Sequence, residues 1–278
     1  MNHSTHPHFT NKDTESFYDH ENALYKDVRD PNWSVHFGIF EPQECAKDYV
    51  QAANRLNDIM IEKGNIDQNS QVLDVWCGTW AVCEYIYKKT WCTITWIDLS
   101  WVRINEAQKR IQDTNKDNIN FIKMSADALD FPHQKFTHII SQSTLYHVHN
   151  RQKAIQQIYD LLPSWGIFIF EDFIRPNEEI TAESMKYVYK RLLYWTDFNH
   201  HNYQDFLSKT WFTILEATVL SEHMKKSYAY LIEILHEKLH VWKPELMDDY
   251  KKLLTAYPFM VKAIEQWDLW WSLFCCRK

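Results

Sequence analysis

Residues 71–80 read QVLDVWCGTW, an apolar run followed by a short segment that holds one glycine. The run at 71–75 predicts a buried strand, and the residues from 81 to 89 predict a helix, so 76–80 form the turn between them. Such a unit usually carries glycines in its turn because a ligand lies against the backbone there. Here Trp76 and Trp80 flank Gly78, so the largest side chains stand where the smallest are expected.

Strands and helices alternate from this unit onward to residue 174. This rhythm predicts an α/β fold with a doubly wound, mostly parallel sheet and helices on both faces. After residue 176 the rhythm breaks into helical stretches at 177–209 and 222–266, with strands at 212–220 and 269–278. Within the alternating part, the expected strands lie at 71–75, 93–100, 119–125, 136–143 and 166–174, and the expected helices at 81–89, 102–114 and 150–162.

We expect one sheet domain with helical additions rather than two independent domains. Residues 1–65 precede the first core strand and are predicted to form an N-terminal helical lid. Residues 66–278 are predicted to form the main domain, with helical insertions at 177–209 and 222–266.

Composition and charge exclude several classes of protein. Hydrophobic residues make up 45% of the 278 residues and charged residues 24%, which is ordinary for a globular protein. The net charge of −7 and the lack of a basic block argue against a nucleic-acid partner. No run of 18 apolar residues occurs and the N-terminal segment is polar, so we expect no membrane partner, no signal peptide and a cytoplasmic protein. The oligomeric state stays open.

The six cysteines predict neither a disulfide framework nor a metal site. None of them forms a CxxC pair, and Cys275 and Cys276 are adjacent in an apolar strand. Buried, reduced thiols are therefore expected. His3, His6 and His8 are placed in a polar tail, and no metal is expected.

Glycine is scarce and tryptophan abundant: the chain has 4 glycines and 13 tryptophans. Trp91, Trp165 and Trp211 each follow a helix and precede a strand, where a left-handed residue, usually glycine, is expected. Trp96 lies inside a strand, one residue before IDLS. A tryptophan with positive φ is costly, so several such sites in one chain require a common cause.

The motifs VLDVWCGTW, WIDLS, SADALDFP, SQSTLYHV and LLPSWGIFIFEDF resemble those of the S-adenosylmethionine (SAM)-dependent methyltransferases with the seven-stranded sheet. The match improves when Trp is read as Gly at 76, 80, 96 and 165, and it covers roughly residues 65–220. VHFGIF and EQWDLWWSLFCCRK resemble, more weakly, the branch that methylates sarcosine and dimethylglycine. The resemblance implies SAM as cofactor, an antiparallel last strand with 212–220 and 269–276 as the antiparallel pair, and a site at the strands' carboxyl ends.

The tryptophans at glycine positions suggest a hypothesis about the gene. Some bacterial lineages read UGA as glycine, and translating such a gene with UGA as tryptophan produces this pattern. The alternative is that these are genuine core tryptophans. TGG codons at 76, 80, 91, 96, 165 and 211 would contradict the hypothesis.

The resemblance assigns cofactor contacts to the strand ends. Asp74 is implied to hold the methionine amino end, Asp98 the ribose hydroxyls and Asp127 the adenine amino group. An acid at Asp98 also marks NAD-binding folds, and Asp127 equally suits a helix N-cap. The full implied set is Asp74, Trp76, Cys77, Gly78, Trp80, Asp98, Leu99, Ala126, Asp127, Ala128, Ser141 and Tyr18.

The resemblance also suggests residues near the reacting methyl group. Gln142 ends the fourth strand, and His147 either positions the acceptor or takes a proton, unless it is a capping or surface histidine. Tyr146, His223 and Tyr228 are implied to bind the acceptor. Further candidates are Tyr18, Tyr25 and His36 in the lid and Arg175 for an acceptor carboxylate, although aromatic spacing of this kind is more often packing.

We therefore expect methyl transfer from SAM to a small-molecule acceptor, with an amine such as sarcosine or dimethylglycine as the first candidate. A phenol, quinone or sterol acceptor is the nearest alternative. An NAD-type oxidoreductase is a second alternative, although the turn lacks the GxGxxG order. A cofactor-free, non-enzymatic relative is the third, and it applies if the tryptophans at 76 and 80 are real.

Overall fold

The computed structural model describes residues 9–28, 36–75, 81–111, 118–132, 136–241 and 243–278. It confirms the predicted α/β class with a seven-stranded sheet. The strands are β1 (Gln71–Val75), β2 (Thr93–Asp98), β3 (Ile119–Lys123), β4 (His138–Gln142), β5 (Ile167–Ile174), β6 (Thr213–Val219) and β7 (Trp270–Arg277). The α-helices are α1 (Asn11–Val28), α2 (Tyr49–Gly64), α3 (Ala81–Thr90), α4 (Trp101–Ile111), α5 (Arg151–Leu161), α6 (Ala182–Ser184), α7 (His200–Lys209), α8 (Ser221–Lys238) and α9 (Met247–Glu265).

The strand order is β3-β2-β1-β4-β5-β7-β6. The first five strands in this order pair in parallel. β7 runs antiparallel to both of its neighbours, β5 and β6, as the resemblance implied. Asp74 pairs with Trp96, and Gln142 pairs with Glu171, so the carboxyl ends of the central strands lie along one edge of the sheet.

The strands carry apolar side chains on both faces because helices cover both. Along β5, Ile169 and Phe173 join the core on the side of α2 and α3. Phe168 and Phe170 join the core on the side of α5 and α7. Each such side chain stabilises the fold by ~1.5–3 kcal/mol relative to an exposed position. This explains why the strands read as continuous apolar runs in the sequence.

The two predicted helical insertions are interrupted. In 177–209, α6 passes into a π-helix at Met185–Tyr189 and the chain then leaves helical geometry, with Leu193 at φ 50°. α7 begins afresh at Asn199, whose side chain accepts hydrogen bonds from two backbone amides. In 222–266, a break separates α8 from α9, and Pro244 begins a short 3₁₀ turn in it, whereas α9 continues through Pro258.

The N-terminal elements lie on two different parts of the fold. α2 packs on the sheet, and Gly38 passes it so closely that an added Cβ would lie 2.5 Å from the Cβ of Ala52. α1 spans from the cofactor edge to the helical insertions. Asn11 donates to Ser125 at one end (3.2 Å), and Asp27 contacts Lys238 (3.3 Å), Lys243 and Tyr250 at the other.

The tryptophans at helix ends fall into two groups. Trp91, Trp211 and Trp267 have φ of 59°, 70° and 66°, and their side chains are 63%, 76% and 57% exposed. The first two were predicted, and Trp267 adds a third. The prediction for Trp165 was wrong: its φ is not positive, because a turn closed by the hydrogen bond from the Gly166 amide to the Pro163 carbonyl (2.9 Å) carries the chain into β5.

Among the helices of the described ranges, none is both long and apolar enough to span a membrane.

Candidate active site

Asp98 ends β2 at the carboxyl edge of the sheet and is fully buried. Its carboxylate accepts a hydrogen bond from the Ser100 amide (2.7 Å) and lies 3.8 Å from the Arg103 guanidinium, which α4 supplies from its first turn. Desolvated carboxylates are retained where they are paired or bind a ligand. The carboxylate predicted to hold ribose hydroxyls therefore lies at the edge where a ligand of this fold binds.

Asp74 lies on the neighbouring strand β1, opposite Trp96 and so two residues before the level of Asp98, and it is also fully buried. Its carboxylate accepts a weak hydrogen bond from the Cys83 thiol of α3 at 3.3 Å. The turn that follows, with Trp76, Cys77, Gly78 and Trp80, lies outside the described residues, as do the N-terminal histidines and the side chains of Tyr18 and Tyr25.

The segment after β3 forms the predicted adenine end. Leu99 and Asp127 are half-buried, Ala126 is buried and Ala128 is exposed. Asp127 accepts a hydrogen bond from the Ser125 hydroxyl (2.5 Å) within a turn, and no helix begins there, which excludes the alternative role as an N-cap. A cavity of about 520 Å³ lies on this edge, and its walls include Leu99, Trp101, Phe121, Met124 and Ser125.

Ser141 and Gln142 end β4 as predicted, and both are buried. The Ser141 hydroxyl donates to the Val75 carbonyl (3.3 Å), which ties β4 to the end of β1. The Gln142 amide donates to Asn57 (2.8 Å) of α2, and its oxygen has no hydrogen-bond partner among the described residues. The Gln142 side chain therefore points toward α2.

Ser143 and Glu171 were not singled out from the sequence. Ser143 has a left-handed backbone, with φ 49°, directly after β4, and its hydroxyl donates to Glu171 at 2.8 Å. The Trp271 indole N–H donates to the other carboxylate oxygen. Burial raises the pKa of Glu171 to about 8, although both hydrogen bonds oppose the shift. The available signal was an acidic residue inside the apolar run GIFIFEDFI.

His147 is buried in the turn that follows β4. Burial, together with the charges of Arg151 and Arg103, lowers its pKa to about 3, while a hydrogen bond with the Leu193 backbone opposes the shift. Such an imidazole is neutral at neutral pH and is a weak base. Its ring lies 4.1 Å from that of Tyr146, so it is placed to orient its neighbours.

Six buried aromatic residues form a continuous group at the carboxyl ends of β4 and β5, here called the aromatic cluster. Tyr146 stacks on Phe173 with ring centroids 4.2 Å apart, and Tyr194 meets Tyr146 edge-on at 5.3 Å. Phe37 contacts Phe173 and two further rings, those of Tyr228 and Trp271, with ring centroids 5.3–5.8 Å apart. The members are Phe37, Tyr146, Phe173, Tyr194, Tyr228 and Trp271. Two of the three predicted acceptor-binding residues, Tyr146 and Tyr228, thus belong to one group.

The other suggested acceptor contacts lie elsewhere. His223 is half-buried and accepts a hydrogen bond from the Phe40 amide at 3.1 Å, and burial lowers its pKa. Arg175 contacts Asp197 (3.6 Å) and the Glu178 carbonyl (2.6 Å) and lies over the Trp195 ring. Its guanidinium is therefore engaged. His36 is buried beside Phe37 in the chain.

A buried ion pair lies on the opposite face of β5. Arg151 contacts Asp172 at 3.3 Å, and the Tyr203 hydroxyl donates to the same carboxylate at 2.9 Å. Burial raises the pKa of Asp172, and the charge of Arg151 opposes that effect. Asp172 and Glu171 are adjacent in sequence, yet among the described residues Asp172 is paired with a cation and Glu171 is not.

Comparisons with known proteins agree with this geometry. Residues 72–166 match the family described as a methyltransferase domain. Phosphoethanolamine N-methyltransferase from Plasmodium falciparum is 27% identical over 230 residues, 82% of this chain and 81% of that protein. Sterol 24-C-methyltransferase from Clavispora lusitaniae is 24% identical over 181 residues, 63% of this chain and 46% of that protein.

A solved structure shares the fold along almost the whole chain. It is described as a sarcosine dimethylglycine methyltransferase from Galdieria sulphuraria, and it superposes with a TM-score of 0.82 at 14% identity. The superposition covers 94% of this chain and 98% of that chain.

The donor set of the described edge fits SAM. Buried Asp98 offers two acceptor oxygens for hydroxyl groups, and half-buried Asp127 offers an acceptor for an amino group. Leu99 supplies an apolar wall between them, next to the cavity on this edge. Together with the methyltransferase-domain match over residues 72–166 and the seven-stranded sheet, this supports SAM-dependent methyl transfer with SAM as the cofactor.

Proposed function

We propose that this enzyme methylates the nitrogen of a small amine. The observation that supports the proposal is the aromatic cluster, which lies where β4 and β5 end. An ammonium group over aromatic faces gains ~0.5–2 kcal/mol, and the methylated product keeps that positive charge. The names of the phosphoethanolamine and sarcosine dimethylglycine methyltransferases agree with an amine acceptor.

The chain's own residues would act mainly by alignment. When bound, SAM supplies a methyl group that is activated by a sulfonium. Asp74, Asp98 and Asp127 would fix the cofactor, and the rings of Tyr146 and Tyr228 would hold the amine in line with that methyl group. In-line displacement depends on orientation and on exclusion of water, and well-oriented reactants gain up to ~7–11 kcal/mol from it.

α1 would close this site as a lid. Besides its contact with Ser125, it places Glu15 at 3.0 Å from Lys123. Lys123 lies at the carboxyl end of β3, beside the predicted adenine end. The remainder of 1–65 includes α2, which packs on the sheet, so the proposed lid is limited to α1.

A methyl-transfer assay tests the amine acceptor. Sarcosine, dimethylglycine and phosphoethanolamine are compared with a phenol, a quinone and a sterol, using the full chain and the double variant Trp76→Gly, Trp80→Gly. We expect turnover of an amine. Turnover confined to the apolar acceptors would contradict the proposal and leave the methyltransferase assignment in place.

Variants of the aromatic cluster locate the amine. Tyr228→Leu removes a ring from the cluster while keeping an apolar side chain, so we expect KM for the amine to rise about tenfold at unchanged affinity for SAM. Tyr159→Leu is the matched control, because Tyr159 packs on Phe212 on the other face of the sheet. Equal effects of both changes would show that the cluster does not bind the acceptor.

A further inference from the structure

Glu171 is a fully buried carboxyl group without a cation beside it. Within the described ranges, no ion pair includes Glu171, whereas its neighbour Asp172 is paired with Arg151. Its partners are the Ser143 hydroxyl and the Trp271 indole. A buried, uncompensated acid is costly to a fold, and such groups concentrate at functional sites.

The position of this group connects it with the reacting edge. Glu171 is the register partner of Gln142, so it lies level with the end of β4. Trp271, which donates to it, belongs to the aromatic cluster and meets Phe37 at 5.4 Å. Glu171 therefore lies next to the buried aromatic cluster proposed to hold the amine.

Ser143 links the carboxyl group to that surface. It is half-buried, and its φ of 49° is a conformation that residues other than glycine rarely adopt. Such strained residues persist where the surroundings impose them, and they cluster at active sites. Here the strain directs the hydroxyl onto Glu171 at 2.8 Å.

We propose that Glu171 accepts the proton of the acceptor ammonium through the Ser143 hydroxyl. This inference rests on the proposed amine acceptor. The ammonium N–H proton passes to the Ser143 oxygen as the Ser143 proton passes to the Glu171 carboxylate, which becomes a neutral acid. The freed nitrogen lone pair forms the new N–C bond as the methyl–sulfur bond breaks and its electron pair stays on sulfur. Glu171 returns its proton to solvent when the product leaves.

The other titratable groups nearby are poorer candidates. His147 has a pKa of about 3 and is too weak a base for an ammonium. Asp172 faces the opposite side of β5, and its negative charge raises the pKa of Glu171. β4 presents Ser143 and Gln142 to Glu171, and β7 presents Trp271; all three are uncharged. A base whose pKa lies near the working pH is the most effective proton acceptor.

Kinetics of two variants test the proton transfer. Glu171→Gln keeps the shape of the side chain and removes the ionisable group, and Ser143→Gly removes the hydroxyl while suiting the positive φ. In both we expect kcat/KM for sarcosine or dimethylglycine to fall about 100-fold and to lose a rising limb with a midpoint near pH 8. Glu216→Gln is the control, because Glu216 lies on β6 and pairs with Lys63.

A spectroscopic titration gives a readout besides activity. The ¹⁵N-NMR signal of the Trp271 indole N–H, identified by its loss in Trp271→Phe, should shift between pH 6 and 10 with a midpoint near 8. Glu171→Gln should abolish the shift. A signal that stays constant in the unsubstituted chain would overturn the inference.

The two proposals fail in different ways. Absence of turnover with every amine overturns the proposed function and, with it, the proton transfer. Amine turnover with an unchanged pH profile in Glu171→Gln overturns only this inference.

Discussion

Trp91, Trp211 and Trp267 should be replaced more favourably by glycine than by alanine. Both replacements remove the same exposed indole, so the difference between them isolates the backbone. A left-handed conformation costs an L-residue about 1–2 kcal/mol, which glycine avoids. Glycine loses about 0.5–1 kcal/mol to the greater freedom of the unfolded chain. Each glycine variant should therefore exceed its alanine counterpart by about 0.5–1 kcal/mol in free energy of unfolding.

Urea unfolding measures the difference. The three residues end different helices, so their effects should add, and the triple glycine variant should exceed the triple alanine variant by about 2 kcal/mol at unchanged m-value. Trp165 is the matched control, since it is 60% exposed and also precedes a strand but has no positive φ. At position 165, the alanine variant should have a free energy of unfolding equal to or greater than that of the glycine variant. The same preference at all four positions, or none at any, would refute the backbone argument.

Three further predictions concern the cofactor, the pH and the buried ion pair. Calorimetry should show weak or no SAM binding by the full chain and tighter binding after Trp76→Gly and Trp80→Gly, because an indole at either position of a cofactor-binding turn would overfill a packed site; equal affinity would contradict this. Because the pKa of Glu171 is raised from 4.5 to about 8, the folded state keeps a proton that the unfolded chain releases. The free energy of unfolding should therefore fall by on the order of 4 kcal/mol as the pH rises from 4.5 to 8. Urea unfolding across this pH range should not show this fall in Glu171→Gln. Arg151→Met should destabilise the fold by ~3–5 kcal/mol by leaving Asp172 unpaired, and adding Asp172→Asn should restore part of it, as measured by denaturation.

The parallel half of the fold follows from the sequence because each of its strands is a short apolar run between turn signals. β1 and β4 are buried along nearly their whole length, so periodicity and burial point the same way. The later helical stretches are less predictable. Apolar spacing indicates helix throughout 177–209, but Leu193 adopts a left-handed backbone because of its tertiary surroundings, and no local signal marks it.

The positions of the candidate site residues could be predicted where a sequence motif places a residue at the end of a single strand. Asp98 ends β2 and Asp127 follows β3, as the motifs predict, and their roles toward the cofactor stay predictions. Glu171 was not predictable, because its role depends on the register of β5 with β4 and on an indole donated by β7, about a hundred residues away. His147 shows the opposite case: the sequence identifies a titratable ring, but only burial decides that it stays neutral.

The place of β7 in the sheet has a consequence for how the molecule is assembled during synthesis. β7 follows every other described element in the chain, yet it lies between β5 and β6. Until β7 has left the ribosome, β5 is an edge strand with an unpaired backbone, and β6 has no partner in the sheet. Such edges promote association with other chains. Trp271 arrives with the same strand, so the closing of the sheet and the completion of the Glu171 site are one event.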